Sequence, residues 1–158
     1  MFVNNLIRSI FTLIFFLSFN TAEAYLLTGV TNFNFGTAVS PFADLTMTDN
    51  SICVSAELLQ VTNYHLTATS SGGTSSFQLL NGSNTSYTLA YSVAWASPTT
   101  FVALSSGVAA SFSNAHSFLL PCPGSGNNAQ LKITILGANQ MLAKQGNYSD
   151  TLTITIAP

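Results

Sequence analysis

The chain has 158 residues, a length that fits one domain of ordinary size. Only 5% of its residues are charged, whereas an average domain has about 25%. Lys and Arg together number 3 and the formal net charge is −2, which excludes the basic surface that nucleic-acid binding requires.

The first 24 residues have the three parts of a secretory signal peptide. Arg8 supplies the positive charge, and residues 10–19 form an apolar run rich in Phe, Leu and Ile. Ala22 and Ala24 form a small-x-small cleavage site around Glu23. The apolar run is too short for a comfortable transmembrane span. We therefore predict that residues 1–24 direct export and are removed, and that residues 25–158 form the mature domain.

An exported chain with an even number of cysteines favours a disulfide, here between Cys53 and Cys122. The bond would close a loop of about 70 residues and stabilise the fold by roughly 4 kcal/mol. The alternative is two free, buried thiols. Neither cysteine has a second Cys or a His at ligand spacing, so the pattern predicts no metal site. We also expect no cofactor.

In the mature part, short alternating segments are separated by turns rich in Gly, Pro, Asn and Ser. This pattern predicts a β-sandwich without a convincing helix. The predicted strands are one that ends at Gly36 and includes Phe33 and Phe35, then residues 45–48, 51–54, 64–69, 77–79, 88–96, 101–104, 131–135 and 151–156. Asp49-Asn50 is predicted as a turn, and Asn81-Gly82 as a hairpin turn. Residues 138–145 are interpreted as one helical turn or a loop.

The segment from Thr88 to Ala96 carries the clearest buried face. Leu89, Tyr91, Val93 and Trp95 fall on one parity, as in a strand with one side in the core. We predict that Trp95 is a core residue; the alternative is a surface platform for a ligand. Further aromatic anchors of the predicted core are Tyr64, Phe77 and Tyr148.

The last strand alternates without interruption. Leu152, Ile154 and Ile156 fall on one face, and Thr residues occupy the other. The sequence stops two residues after Ile156, so we expect any further partner of this strand to come from earlier in the chain or from another molecule. The alternative is an ordinary strand of a complete sandwich that is paired within the chain.

Several blocks together resemble the exported subunits of bacterial chaperone–usher fimbriae, especially the archaic type grouped with spore coat protein U-like domains. The blocks are Tyr64-His-Leu-Thr-Ala-Thr, Phe77-Gln-Leu-Leu-Asn-Gly, Tyr91-Ser-Val-Ala-Trp and Gly146-Asn-Tyr-Ser-Asp-Thr-Leu-Thr-Ile-Thr-Ile, beside the signal peptide and the Cys pair. The resemblance covers most of the mature chain, and its most specific part is the C-terminal block that contains Gly146 and Tyr148.

The resemblance implies an all-β, immunoglobulin-like β-sandwich that lacks its final strand. A periplasmic chaperone, and then the N-terminal extension of a neighbouring subunit, would fill the resulting groove during assembly at an outer-membrane usher. Leu152, Ile154 and Ile156 would line this acceptor groove. The region from which a donor strand would come contains Leu27, Val30, Phe33 and Phe35. Here the chain departs from the family, since only eight residues of the mature chain precede Phe33 and they alternate poorly.

The sequence offers little for catalysis. There is no Gly-x-Ser-x-Gly element, the carboxylates suggest no pair, and His65 and His116 are interpreted as non-catalytic. We therefore expect a non-enzymatic, exported subunit of a surface fimbria, either a building block or a tip subunit. The alternative function is that of a self-contained, secreted β-sandwich that binds a carbohydrate or another surface ligand.

Overall fold

The computed structural model describes residues 25–38, 42–56, 63–117 and 126–158. The predicted signal peptide and Cys122 lie outside these residues. The strands are β1 (Tyr25–Thr28), β2 (Leu45–Ala56), β3 (Tyr64–Ser70), β4 (Gln78–Asn81), β5 (Thr88–Ala90), β6 (Ser92–Ala96), β7 (Phe101–Ala103), β8 (Ala110–Phe112), β9 (His116–Ser117), β10 (Ala129–Ile135), β11 (Tyr148–Ser149) and β12 (Leu152–Ala157). One short helix, α1 (Gly137–Leu142), follows β10.

The first layer of the sandwich is a sheet with the strand order β1-β2-β10-β6-β7, in which all these neighbours are antiparallel. β9 pairs in parallel with the end of β2. The register between β2 and β10 shifts between Ala129 and Leu131. The buried side chain of Asn128 lies just before this shift, where it accepts the Val54 amide proton at 2.8 Å and donates to the Val54 carbonyl at 2.8 Å.

The second layer contains two short antiparallel sheets, β12-β3-β8 and β11-β4-β5. Backbone hydrogen bonds join them, since Ser71 N–H donates to the Thr151 carbonyl at 3.1 Å and Gly82 N–H donates to the Asn147 carbonyl at 2.9 Å. The segment from β11 to β12 thus follows β4 and then β3 as one interrupted strand.

The core lies between the layers and is built by strand alternation. Val54, Leu131 and Val93 from the first layer and Leu66 and Ala68 from the second are at most 1% exposed and belong to one cluster. An aromatic group completes it: Trp95 meets the Phe112 ring edge-on at 6.4 Å, and Tyr64 stacks on Phe112 at 5.8 Å. The prediction that Trp95 is a core residue is confirmed, because Trp95 is fully buried.

The predicted all-β, immunoglobulin-like sandwich is confirmed by these antiparallel sheets. Three local predictions were wrong. Residues 88–96 are not one strand, because the chain passes from β5 in the second layer to β6 in the first layer at Tyr91. The first strand is Tyr25–Thr28 and does not include Phe33 or Phe35, because the chain turns at Gly29, whose φ is +84°, and leaves the ladder with β2. Asp49-Asn50 is not a turn, and β2 runs straight through it. Phe33 and Phe35 still pack against the core without being in a strand.

Candidate functional site

The candidate site is the seam where an edge of each layer comes close to the other. β1 is the edge strand of the first sheet, and β12 is the edge strand of the β12-β3-β8 sheet. The two strands approach each other. Within residues 25–38, 42–56, 63–117 and 126–158, no strand pairs with the outer edge of β12. The backbone groups on that edge are therefore available to a further strand.

The side chains of β12 alternate as the sequence predicts. Leu152, Ile154 and Ile156 are half-buried and pack against the core, while Thr153 and Thr155 are exposed. On the inner side of β12, the register pairs Leu152 with Ser70, Ile154 with Ala68 and Ile156 with Leu66. Since Ala68 and Leu66 are fully buried, the three apolar side chains lie beside the closed core, and two of them, Leu152 and Ile154, also line the seam.

An open groove of about 330 Å³ lies in the seam. Its lining residues are Leu27, Thr28, Gly29, Val30, Leu152 and Ile154. None of them is charged, and four of the six have apolar side chains. The structure therefore places two of the predicted groove residues, Leu152 and Ile154, in one lining with two residues of the predicted donor region, Leu27 and Val30.

The β1 wall of the groove is held by Asp49 of β2. The Asp49 carboxylate accepts the N–H and the hydroxyl of Thr31, both at 2.8 Å, and the N–H of Ser51 at 2.9 Å. The Ser51 hydroxyl lies 2.5 Å from Asp49 and 2.6 Å from the Gly29 carbonyl. Burial alone would raise the pKa of Asp49, but the hydrogen bonds from Ser51 and Thr31 outweigh it and lower the pKa.

Close packing also shapes the β1 wall. A Cβ at Gly29 would lie 2.1 Å from the Ser51 carbonyl oxygen, and its φ of +84° favours glycine. Glycine at this position lets the chain turn away directly above β2. The turn brings Val30 into the lining of the groove.

The β12 wall is held by Asp150, which precedes β12. The Asp150 carboxylate accepts the hydroxyls of Ser70 at 2.7 Å and Ser71 at 2.6 Å, the N–H of Gly72 at 3.1 Å, and the hydroxyl of Tyr91. Burial would raise the pKa of Asp150, but these hydrogen bonds outweigh it and lower the pKa. Burial, followed by the hydrogen bond to Asp150 and its charge, raises the pKa of Tyr91.

Neither carboxylate was predicted from the sequence to be part of the site. Asp49 was predicted to lie in a turn, and Asp150 is part of the C-terminal block without a predicted role. The donors to Asp150 come from the end of β3 and from Tyr91, which are distant in sequence. The sequence signal that could have found these donors is the run of Ser and Gly at the end of β3, a common source of hydroxyl and amide donors.

Gly146 and Tyr148, the two residues that characterise the C-terminal block, support β11, the strand before β12. Gly146 has a φ of +152°, and a Cβ there would lie 2.3 Å from Nδ2 of the buried Asn81. Tyr148 begins β11, pairs with Asn81, and donates its hydroxyl to the Lys144 carbonyl at 2.9 Å. Gly146 and Tyr148 thus hold β11 against β4. They do not line the groove, but β11 directly precedes β12, which does.

The other residues singled out in the sequence, including the two histidines interpreted as non-catalytic, are not in the lining of the groove. Phe33 and Phe35 stack on each other with their ring centroids 6.4 Å apart. The exposed His65 has its Nδ1 3.1 Å from the Ser111 hydroxyl, and Nε2 of His116 lies 3.0 Å from the Gly126 carbonyl oxygen. Cys53 is buried in β2 and is not a free thiol. Its pairing with Cys122 stays a prediction.

The described part of the chain has no group of three His, Cys, Asp or Glu side chains placed to hold a metal ion. Its single helix is short, so none of the described helical segments has the length and apolarity needed to cross a bilayer.

No protein-family model matches the chain. No curated protein matches it either. Among solved structures, a chain from a chaperone–tip adhesin complex of CFA/I fimbriae has a TM-score of 0.61 at 12% identity, over 85% of this chain and 42% of that one. CfaE, the adhesive subunit of the CFA/I fimbria of enterotoxigenic Escherichia coli, has a TM-score of 0.47 at 12% identity. The match covers 72% of this chain and 35% of CfaE. The chain spans less than half the length of either, and the first likeness shows a shared fold.

Proposed function

We propose that this chain is an exported subunit of a surface fimbria, structural or at the tip, whose groove between β1 and β12 accepts a strand from another protein. The strand would come first from a periplasmic chaperone and then from a neighbouring subunit, with assembly at an outer-membrane usher. We place the chain with the archaic type of chaperone–usher fimbriae because of the blocks around Tyr64, Trp95 and Gly146. Its role would be non-enzymatic, and its final location the cell surface.

The observation that carries the proposal is the combination of an unpaired strand edge with an apolar face beneath it. Among the described residues, the outer edge of β12 has no strand partner, and Leu152, Ile154 and Ile156 are only half-buried. An added strand would gain backbone hydrogen bonds to this edge and would bury its own alternate apolar side chains in the groove. The fold shared with a chain of a fimbrial chaperone–tip adhesin complex supports the same class of function.

The low charge of the chain is consistent with this proposal. With 5% charged residues, the surface lacks the charged side chains that usually protect a strand edge from unwanted pairing. A chain of this composition benefits from a chaperone that covers the edge until its permanent partner arrives.

The test is strand binding by the exported full-length chain. The probe is a synthetic peptide of about ten residues in which Val and Thr alternate, with Lys at both ends. We expect the peptide to bind and to raise the melting temperature, because it binds the folded state. Ile154→Asp places a charge in the apolar seam and should abolish binding. Thr153→Asp carries the same charge on the exposed face of β12 and should still bind the peptide.

Circular dichroism confirms that both variants are folded before binding is compared. If Ile154→Asp binds like the wild type, the groove is not the acceptor. If the wild-type chain is a stable monomer that binds no peptide, the proposal fails, and a self-contained sandwich that binds a carbohydrate or another surface ligand becomes the better account.

A further inference from the structure

Asp150 occupies the break between β11 and β12, immediately before the strand that forms one wall of the groove. Its carboxylate accepts four hydrogen bonds, from Ser70, Ser71, Gly72 and Tyr91. All four donors are neutral, and three of them come from the end of β3 and the turn that follows it. Asp150 therefore joins the start of β12 to that turn and to the buried Tyr91.

The backbone N–H and C=O of Thr151, the residue after Asp150, both form hydrogen bonds with Ser71. Ser71 N–H donates to the Thr151 carbonyl at 3.1 Å, and Thr151 N–H donates to the Ser71 hydroxyl at 3.1 Å. That same hydroxyl donates to Asp150. The Ser71 hydroxyl thus accepts from Thr151 and donates to Asp150, which sets the direction of the chain as it enters Leu152, the first groove residue of β12.

The turn after β3 is itself organised by this cluster. The Ser70 hydroxyl accepts the N–H of Gly72 at 3.1 Å and of Gln78 at 3.2 Å. A Cβ at Gly72 would lie 1.9 Å from the Gln78 carbonyl oxygen, so the backbone packs closely at this turn. The carboxylate is therefore bonded to a turn that has its own internal hydrogen bonds, and it joins the start of β12 to that turn.

We propose that Asp150 is a positioning residue for strand acceptance: it holds β12 in place while the groove is empty, so that Leu152 and Ile154 face Leu27 and Val30 before any strand arrives. The inference rests on the proposed function for what the groove binds, but not for what Asp150 does to β12. Preorganisation of this kind raises affinity because less ordering remains to be done on binding.

The first experiment needs no ligand. Amide hydrogen exchange is compared between the wild-type full-length chain and Asp150→Asn, which keeps the shape but loses the charged acceptor. We expect exchange to become faster in residues 151–157 while β2 and β10 keep their protection. Tyr91→Phe removes one of the four donors and should give a smaller change in the same segment. Asp44→Asn is the matched control, since it loses the same charge at α1, where Asp44 accepts the Gly137 N–H at 2.8 Å.

The second experiment measures affinity for the alternating Val/Thr probe peptide. We expect Asp150→Asn to bind it about tenfold more weakly, and Asp44→Asn to bind it like the wild type. Asp150→Glu keeps the charge and should recover part of the affinity.

The two experiments separate the two proposals. If no variant and no wild-type chain binds the peptide, the proposed function fails, and the exchange data alone still decide the role of Asp150. If exchange rises equally in β2, β10 and β12, Asp150 serves general stability and the positioning proposal is overturned. Unchanged exchange in residues 151–157 of Asp150→Asn overturns it as well.

Discussion

Nε1 of Trp95 donates a hydrogen bond of 2.9 Å to the hydroxyl of Tyr64 in the core of the sandwich. Trp95 lies in β6 of the first layer and Tyr64 in β3 of the second. Trp95 is fully buried and Tyr64 is 1% exposed, so this bond links the two layers away from water. β3 is also the strand that carries β12.

Tyr64→Phe should destabilise the chain by about 1–3 kcal/mol, because it leaves the buried Trp95 N–H without its acceptor. Tyr148→Phe is the control, since its hydroxyl bonds the Lys144 carbonyl at an exposed position and its loss should cost little. The measurement is the midpoint of urea unfolding, compared between variants whose dependence of unfolding free energy on urea concentration has the same slope. Equal midpoints for the two variants would show that the interlayer bond contributes nothing to stability.

Gly146→Ala should destabilise the chain by about 1–3 kcal/mol, since both backbone conformation and space at this position require glycine. Its φ is +152°, and an added Cβ would lie 2.3 Å from Nδ2 and 2.9 Å from Cγ of Asn81. Movement of Asn81 away from the added Cβ would cost hydrogen bonds, because its side chain accepts the N–H groups of Ser83 and Asn84.

The control for Gly146→Ala is Gly82→Ala. The nearest neighbour of a Cβ at Gly82 is the Asn147 carbonyl oxygen at 3.7 Å, an ordinary contact distance. Thermal unfolding of the two variants should therefore differ clearly. A Gly82→Ala variant as unstable as Gly146→Ala would contradict the packing argument.

The sequence was most informative where structure depends on neighbouring residues. The alternation of Leu152, Ile154 and Ile156 predicted a strand with one buried face, and the described β12 has that form. Alternation failed at Phe33 and Phe35, whose side chains do pack inward. The ladder with β2 had already ended at Thr28, because Gly29 turns the backbone.

The carboxylates show the other limit. Asp49 was predicted to be a turn residue, yet it lies within β2, where its carboxylate accepts hydrogen bonds from Thr31 and Ser51. Asp150 depends on Ser70 and Tyr91, which only the tertiary fold brings near it. Residues that position the groove by long-range hydrogen bonds leave no periodic signal in a single sequence.

Cys53 should form a disulfide with Cys122, and its loss should lower stability by roughly 4 kcal/mol if the loop-closure model holds. Cys53 pairs with Thr28 in the ladder between β2 and β1, so the bond would also secure the β1 wall. A reductant should lower the unfolding midpoint of the wild type and leave that of Cys53→Ser unchanged. Two reactive thiols in the exported, unfolded but unreduced chain would contradict the pairing.

Stability should fall at acid pH because of Asp49 and Asp150. Their hydrogen bonds lower the pKa of each carboxyl group in the folded state. A group whose pKa is lower when folded stabilises the fold above its unfolded pKa, about 3.9 for Asp. This contribution is lost as the pH falls below that value and through the folded pKa. We therefore expect the unfolding free energy to be nearly constant from neutral pH to about 4 and to decrease below it.

Two variants test whether Asp49 and Asp150 cause the loss of stability below about pH 4, called the acid limb of the stability curve. Asp150→Asn should be less stable at neutral pH but should lose less stability on acidification, because the group that binds the extra proton on unfolding is gone. Thr31→Val removes one hydroxyl donor to Asp49 and keeps the shape and the backbone N–H, so its acid limb should become shallower by a smaller amount. Urea unfolding at a series of pH values measures both slopes. If both variants lose stability with acid as steeply as the wild type, the two carboxylates are not its source, and their hydrogen bonds then contribute no more to the charged form than water does.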